Sequence, residues 1–271
     1  MKLEPVRPRD KVALGARDAL PPRSIDADDS TLERKVDKLR ARLESLQEAL
    51  YAESRQTLLV VLQARDAGGK DGTIRRVFSS INPQGCVVHS FKAPTPEELA
   101  HDFLWRAHAA VPAHGMIGIF NRSHYEDLLV VRVHELVSSD VWKKRYEQIN
   151  DFERMLTQNR VTVVKFFLHV SREEQRARLL ERLTDPAKNW KFEADDLKER
   201  ALWSEYTRAY RDVLRKCSTK WAPWYVVPAD RKHARDYLVL DTIVSTLARM
   251  HPRFPKADPK VLKLEKELRE Q

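Results

Sequence analysis

Gln63–Thr73, read as QARDAGGKDGT, gathers the residue types that grip phosphate. Gly68, Gly69 and Gly72 are three of only seven glycines in the 271-residue chain. Glycine permits positive φ and lets the backbone approach a ligand with no Cβ in the way. N–H groups at the start of a following helix then converge on an anion, reinforced by the helix dipole. Lys70 adds a mobile positive charge for phosphate oxygens. The match to GxxxxGK[ST] is incomplete: Ala64 replaces the first glycine, Asp71 takes the place of the hydroxyl, and Thr73 follows two residues later. A turn of small residues is the plainer reading, and the apolar segment before the loop, the Gly-Lys pair and the scarcity of glycine elsewhere argue against it. Arg75 and Arg76 fall in the early turns of the helix, where the dipole disfavours cations, so an anion at that end offsets their cost. Asp66 lies inside a loop built to attract anions, which calls for a metal ion bridging it to phosphate.

Two further segments carry candidate chemistry. MIGIFNRSHYEDLLVVRV sets Asn121, Arg122, Glu126 and Asp127 just past an apolar strand candidate, where parallel α/β sheets bind ligands. P-loop enzymes use an acidic residue in this region to help hold Mg²⁺. Asn121 fills the usual aspartate position, leaving Glu126 or Asp127 to supply the carboxylate; Asp127 can also cap a helix starting near Ser123. Residues 171–200 are rich in cations, with Arg178 and Arg182 four apart on one helical face. Like charges so placed destabilise an isolated helix, and a bound polyanion reverses that cost. Arg172, Arg176, Lys198 and Arg200 read as a solvated face. TDPAKNWKF, with Lys188, Trp190 and Lys191, reads as a Pro-broken loop suited to a lid over phosphates.

These residues need a scaffold, and the hydrophobic pattern supplies one. Strand-length apolar runs at Thr57–Gln63, Cys86–Phe91, Met116–Phe120, Val161–His169 and Trp224–Val227 are mostly continuous, as in strands covered on both faces. Helical patterns separate them: Lys70–Ser80, Pro96–Ala109, Asp140–Gln158, Glu173–Leu183, Asp195–Lys216 and a last one after Asp230. Ser30 and Glu33 form a capping-box pattern ahead of a stripe of Leu32, Val36, Leu39, Leu43, Leu46 and Leu50, expected to pack on the main domain. Such alternation implies an α/β fold with a parallel central sheet of about five strands. The expected organisation is an arm over 1–29, mobile or draped on the surface, a P-loop phosphotransferase domain over 30–255 with a lid at about 171–200, and a charged tail over 256–271.

Lys and Arg exceed Asp and Glu by nine, which favours polyanionic partners without choosing among nucleic acid, anionic membrane and polyphosphate. No apolar run approaches the roughly 18 residues of a membrane span, and Met1–Ser30 lacks the apolar core of a secretory signal. Cys86 and Cys217 offer neither a disulfide framework nor a metal spacing, so a reducing, cytoplasmic setting is expected.

Taken together, QARDAGGKDGT, NPQG, FNRSHYED, DPAKNWKF and APWYVVPADRK resemble the polyphosphate kinase family 2, from about Leu32 to about Pro252. The resemblance implies a three-layer P-loop kinase-like fold with a helical lid, and Mg²⁺-dependent phosphoryl transfer between inorganic polyphosphate and nucleotides. Asn121 and Glu126 are similar to the group that takes AMP through ADP to ATP. By matching motif, Asp66, Lys70, Arg122 and Glu126 are the implied catalytic residues, with Asp66 and Glu126 holding Mg²⁺. Arg178, Arg182, Lys188 and Lys191 are the implied lid cations, and Arg75, Arg76 and Lys92 line the implied polyphosphate path. The remaining loop residues, Gly68, Gly69, Asp71, Gly72 and Thr73, complete the expected phosphate site, and a homo-oligomer is expected. An ATP-dependent nucleoside monophosphate kinase shares the loop and lid. A basic nucleic-acid-binding protein explains the charge but not a Gly-Lys loop after a strand.

Overall fold

The computed structural model describes residues 2–8, 10–23, 25 and 29–271. Five parallel strands, β1 (Thr57–Ala64), β2 (Cys86–Ser90), β3 (Ile117–Asn121), β4 (Val161–His169) and β5 (Trp224–Pro228), form one sheet in the order β2-β3-β1-β4-β5. The first half carries helices α1 (Asp29–Glu53), α2 (Lys70–Val77), α3 (Pro96–Leu99), α4 (Trp105–Ala109) and α5 (Val130–Val133). The second half carries α6 (Ser139–Gln158), α7 (Arg172–Thr184), α8 (Asp195–Ala201), α9 (Trp203–Lys216), α10 (Lys232–Met250) and α11 (Pro259–Arg269).

Alternation along the strands divides the core into two layers. Leu58, Val60 and Leu62 of β1 join Val164, Phe166 and Leu168 of β4 on the face covered by α1 and α10. Leu59, Val61, Val163 and Phe167 point the other way, toward Ile149 and Phe152 of α6 and Ala209, Tyr210 and Val213 of α9. The result is the expected three-layer α/β fold. Each buried Leu or Phe contributes about 1.5–3 kcal/mol relative to exposure, which explains why the central strands read as unbroken apolar runs.

The Leu stripe of α1 packs on this core as its period implies: Leu32, Val36, Leu43 and Leu50 are buried. The helix already includes Asp29 and Ser30, so Ser30 lies within it and is not its cap. Two expected helices are broken. Pro96–Ala109 divides because Asp102 accepts from the Leu104 N–H, a local turn that competes with helix. Asp195–Lys216 divides at Leu202 (φ −83°, ψ 24°).

The N-terminal segment is draped along the β5 side. The Val6 N–H donates to the Trp224 carbonyl at 2.8 Å, His169 Nε2 meets the Gly15 carbonyl at 2.9 Å, and Leu14, Ala19 and Ile25 are buried. No helix among the described residues is long and apolar enough to cross a membrane.

Candidate active site

The strand order reverses around β1 and β3, and a cleft opens at their carboxyl ends, as the topology of an open parallel sheet requires. β1 runs directly into the glycine loop, and α2 begins at Lys70. Gly69 caps α2 with φ +97°, and a Cβ there would lie 2.0 Å from Arg235 Nη1. Only glycine fits that turn against the guanidinium behind it. At Gly68 a Cβ would meet the Arg65 carbonyl at 2.8 Å.

Lys70 Nζ folds back to the Ala64 carbonyl at 3.3 Å. Burial pulls its ammonium below the usual lysine range and Arg122 adds to that, while Asp66, Glu126 and Asp71 oppose the change. Arg122 Nη2 lies 3.3 Å from Asp66 Oδ1. Arg122 itself adopts φ +59°, uncommon for a residue with a side chain, and such strain concentrates at functional sites. Glu126 is half-buried; burial raises its carboxyl above the ordinary glutamate range against the pull of Arg122 and Lys70.

A buried polar network fixes the turn that carries Glu126. Lys165 of β4 pairs with Glu153 of α6 and donates to the Tyr125 hydroxyl at 2.7 Å and the Cys217 carbonyl at 2.8 Å. Tyr125 also donates to Glu153 at 2.8 Å, and His124 Nε2 lies 3.3 Å from the same carboxylate. A charged pair so deep in the core is stable only when its remaining donors and acceptors are satisfied, as they are here through Tyr125 and Cys217.

Two hollows meet at Asp66 and Arg122. A cleft of about 910 Å³ is bordered by Gly68, Gly69, Gly72, Asp71, Asn121 and the cations Lys70, Arg75, Lys92, Arg182, Lys188 and Lys191. Asn121 Nδ2 donates to Asp71 at 2.9 Å, holding the loop to the end of β3. Beside it a cavity of about 400 Å³ is walled by Glu126, Glu199, Trp203, Tyr206 and Tyr210. Its acids and aromatic rings contrast with the cationic cleft next door.

Several expected site residues face elsewhere. Asp127 lies outside both hollows: its Oδ1 takes Arg145 at 2.9 Å and its Oδ2 faces Arg106 at 3.6 Å, so the carboxylate holds the scaffold instead of a metal ion. The Thr73 hydroxyl is buried and donates to the Gly69 carbonyl at 3.0 Å, closing a helical turn. Arg76 points behind α2 toward Asp236 (3.8 Å), while its carbonyl accepts from Arg40. Arg178 reaches the cleft but is buried, giving hydrogen bonds to Glu174, the Ala67 carbonyl at 3.1 Å and the carbonyls of Ala229 and Asp230. It clamps the loop more than it offers charge to a ligand. Arg200, expected in a solvated face, donates to Gln175 Oε1 at 2.7 Å. Trp190 is 78% exposed and belongs to no core.

Sequence reasoning missed Gln175, which donates to the Asp66 carbonyl at 3.0 Å, and Lys232 at the rim of the cleft. It also missed Arg65, which is buried with its guanidinium 4.0 Å from the Trp203 ring; burial lowers it to about 10, so it stays charged at neutral pH. The four-residue offset of Gln175 before Leu179 is an ordinary helix pattern and gave no signal.

Comparison with known proteins agrees with this geometry. The family model described as polyphosphate kinase 2 matches residues 26–255. The AMP/ADP-polyphosphate phosphotransferase of Meiothermus ruber is 54% identical over 220 residues, covering 81% of this chain and 82% of its own. The ADP-polyphosphate phosphotransferase of Rhodopseudomonas palustris is 46% identical over 230 residues, covering 80% of each. The crystal structure of polyphosphate kinase 2 from Arthrobacter aurescens TC1 superposes with a TM-score of 0.90 at 39% identity, over 100% of this chain and 99% of that one. With its glycine loop at the end of β1 and this match over most of its length, the chain belongs to the polyphosphate kinase 2 family.

Proposed function

We propose that this protein moves the terminal phosphoryl group of inorganic polyphosphate to AMP and ADP, giving ADP and ATP. The observation that carries this reading is the junction of two unlike hollows at Asp66 and Arg122. A cationic cleft suits a chain of phosphates, and the aromatic, acid-lined cavity suits a nucleoside whose phosphate reaches the junction. The name of the Meiothermus ruber relative supports the same donor and both acceptors, and that of the Rhodopseudomonas palustris relative supports the donor and ADP.

The chemistry is in-line displacement. A phosphate monoester has a second pKa of roughly 6, so the acceptor oxygen is largely ionised at neutral pH and needs no strong base. The barrier is the approach of two polyanions. Lys70 and Arg122 neutralise the charge at the junction, and Arg75, Lys92, Arg182, Lys188 and Lys191 hold the donor chain.

Among the described residues no three His, Cys, Asp or Glu side chains gather into a metal cluster. Asp66 and Glu126 both border the cavity at the junction, and Mg²⁺ is commonly held by one or two carboxylates together with substrate phosphates and water. Asp66 and Glu126 would hold it, and it would supply charge neutralisation at the phosphate oxygens. Residues 171–200 act as the lid of the 30–255 domain, flanked by the arm over 1–29 and the tail over 256–271. Exposed Val261, Leu262, Leu264 and Leu268 on α11 support self-association into a homo-oligomer.

The test is ATP formation by purified protein with Mg²⁺, polyphosphate and either AMP or ADP. Turnover with ATP and AMP but none with polyphosphate would select a nucleoside monophosphate kinase instead.

A further inference from the structure

Five lysine and arginine side chains are buried among the described residues: Arg65, Arg106, Lys165, Arg178 and Arg235. Four have a carboxylate partner within ion-pair distance: Arg106 with Glu98 and Asp127, Lys165 with Glu153, Arg178 with Glu174 and Arg235 with Asp236. Arg65 alone has none. Its Nη2 donates to the Thr207 hydroxyl at 2.5 Å, while its Nε and Nη1 are shielded and have no acceptor.

Aromatic rings surround this cation. Its guanidinium carbon lies 4.0 Å from the Trp203 ring centre, 5.6 Å from that of Tyr210 and 6.0 Å from that of Phe167. Cation–π contact returns part of the cost of burying a guanidinium, but less than an ion pair with satisfied hydrogen bonds. Arg65 therefore weakens the ligand-free fold unless something else uses its charge. It borders the smaller cavity, one residue from Asp66, with Trp203 and Tyr210 in the same wall.

We propose that Arg65 is a positioning residue whose counter-ion is the acceptor nucleotide: its fixed charge draws the anionic phosphate of AMP or ADP into the small cavity. The proposal rests on reading that cavity as the acceptor site. Because its N–H groups are shielded, Arg65 acts through its field across the aromatic wall, where low polarity leaves the charge poorly screened. The effect follows ligand charge and passes over an uncharged nucleoside.

Arg65→Met and Arg65→Lys test this by calorimetric titration with AMP, ADP and adenosine in the absence of polyphosphate, and by thermal unfolding of the nucleotide-free protein. Arg65→Met is expected to lose about tenfold in affinity for AMP and ADP, with adenosine binding kept within about twofold. It is expected to raise the KM for AMP with little change in kcat, and to unfold at the wild-type temperature or above. Arg65→Lys is expected to recover most of the lost AMP affinity. Wild-type AMP affinity in Arg65→Met, equal losses for adenosine and AMP, a lowered unfolding temperature, or no AMP binding by the wild type would each overturn the proposal. Normal AMP binding by the wild type without ATP formation from polyphosphate would instead refute the donor assignment and leave this one standing.

Discussion

The cationic cleft and the aromatic cavity share a border at Asp66 and Arg122 yet are built on opposite plans. In the cleft, charge is exposed and replaceable: Arg75 of α2, Lys92 after β2 and Lys191 of the turn after α7 sit on separate elements and border one volume. In the cavity, charge is counted singly and held by packing, as in Arg65 against Trp203 and Glu199 bound to the Tyr206 hydroxyl at 2.6 Å. A repeating polyanion can be held by any sufficient number of cations, whereas one nucleotide of a given charge needs few groups in fixed places. The difference teaches that tolerance of chain length and choice of acceptor are separable properties of one fold.

Six substitutions test that separation, the first two at its border. Lys70→Ala and Asp66→Asn should each cost about 10²- to 10³-fold in kcat for ATP formation with both acceptors, with circular dichroism unchanged. Near-normal turnover in either would break the picture of a shared junction. Glu126→Gln should next impair AMP use about tenfold more than ADP use, since the longer acceptor reaches the junction with a phosphate to spare. Burial raises the Glu126 carboxyl, so its ionised form is lost on acidification at higher pH than in an exposed glutamate. AMP-dependent activity should fall on the acid side in the wild type and flatten there in Glu126→Gln; parallel pH profiles would remove Glu126 from acceptor choice.

The adjacent carboxylate should behave differently. Asp127→Asn strips Arg145 of its carboxylate partner, leaves Arg106 with Glu98 alone, and should cost about 3 kcal/mol of stability by denaturant unfolding. Residual folded enzyme should keep its AMP-to-ADP preference. Smallest is the contrast along α2: Arg75→Ala should raise the KM for polyphosphate severalfold and lessen its salt dependence, while Arg76→Ala should change neither. Equal effects would mean that the cleft extends behind α2.

The sheet was legible because both faces of its inner strands are covered, so they announce themselves as apolar runs bounded by turns, whereas the edge strand β2 leaves Val87 and Val88 exposed. The glycine loop was legible because few glycines occur elsewhere. What sequence could not convey is direction. Glu126 and Asp127 are neighbours with the same chemistry, and a 3-10 turn over His124–Asp127 sends one toward the junction and the other to Arg106 and Arg145. Arg75 and Arg76 part in the same way across α2. Arg178 has helical spacing that fits a lid cation, but its carbonyl partners come from Ala67, Ala229 and Asp230, distant in sequence and met only in the fold. Arg65 stayed hidden because the rings that hold it lie on β4 and α9.

The grip of α7 on the glycine loop bears on exchange of parts between relatives. Gln175 and Arg178 hold the Asp66 and Ala67 carbonyls, and Arg200 of α8 holds Gln175 in turn. A chimaera that imports a foreign segment across 185–202 therefore has to bring an arginine at position 200. Without it, Gln175 loses its brace and the Asp66 backbone is held less firmly, however well the new segment covers the cleft. The boundary of an interchangeable cassette is set by this chain of three side chains, not by where the helices begin and end.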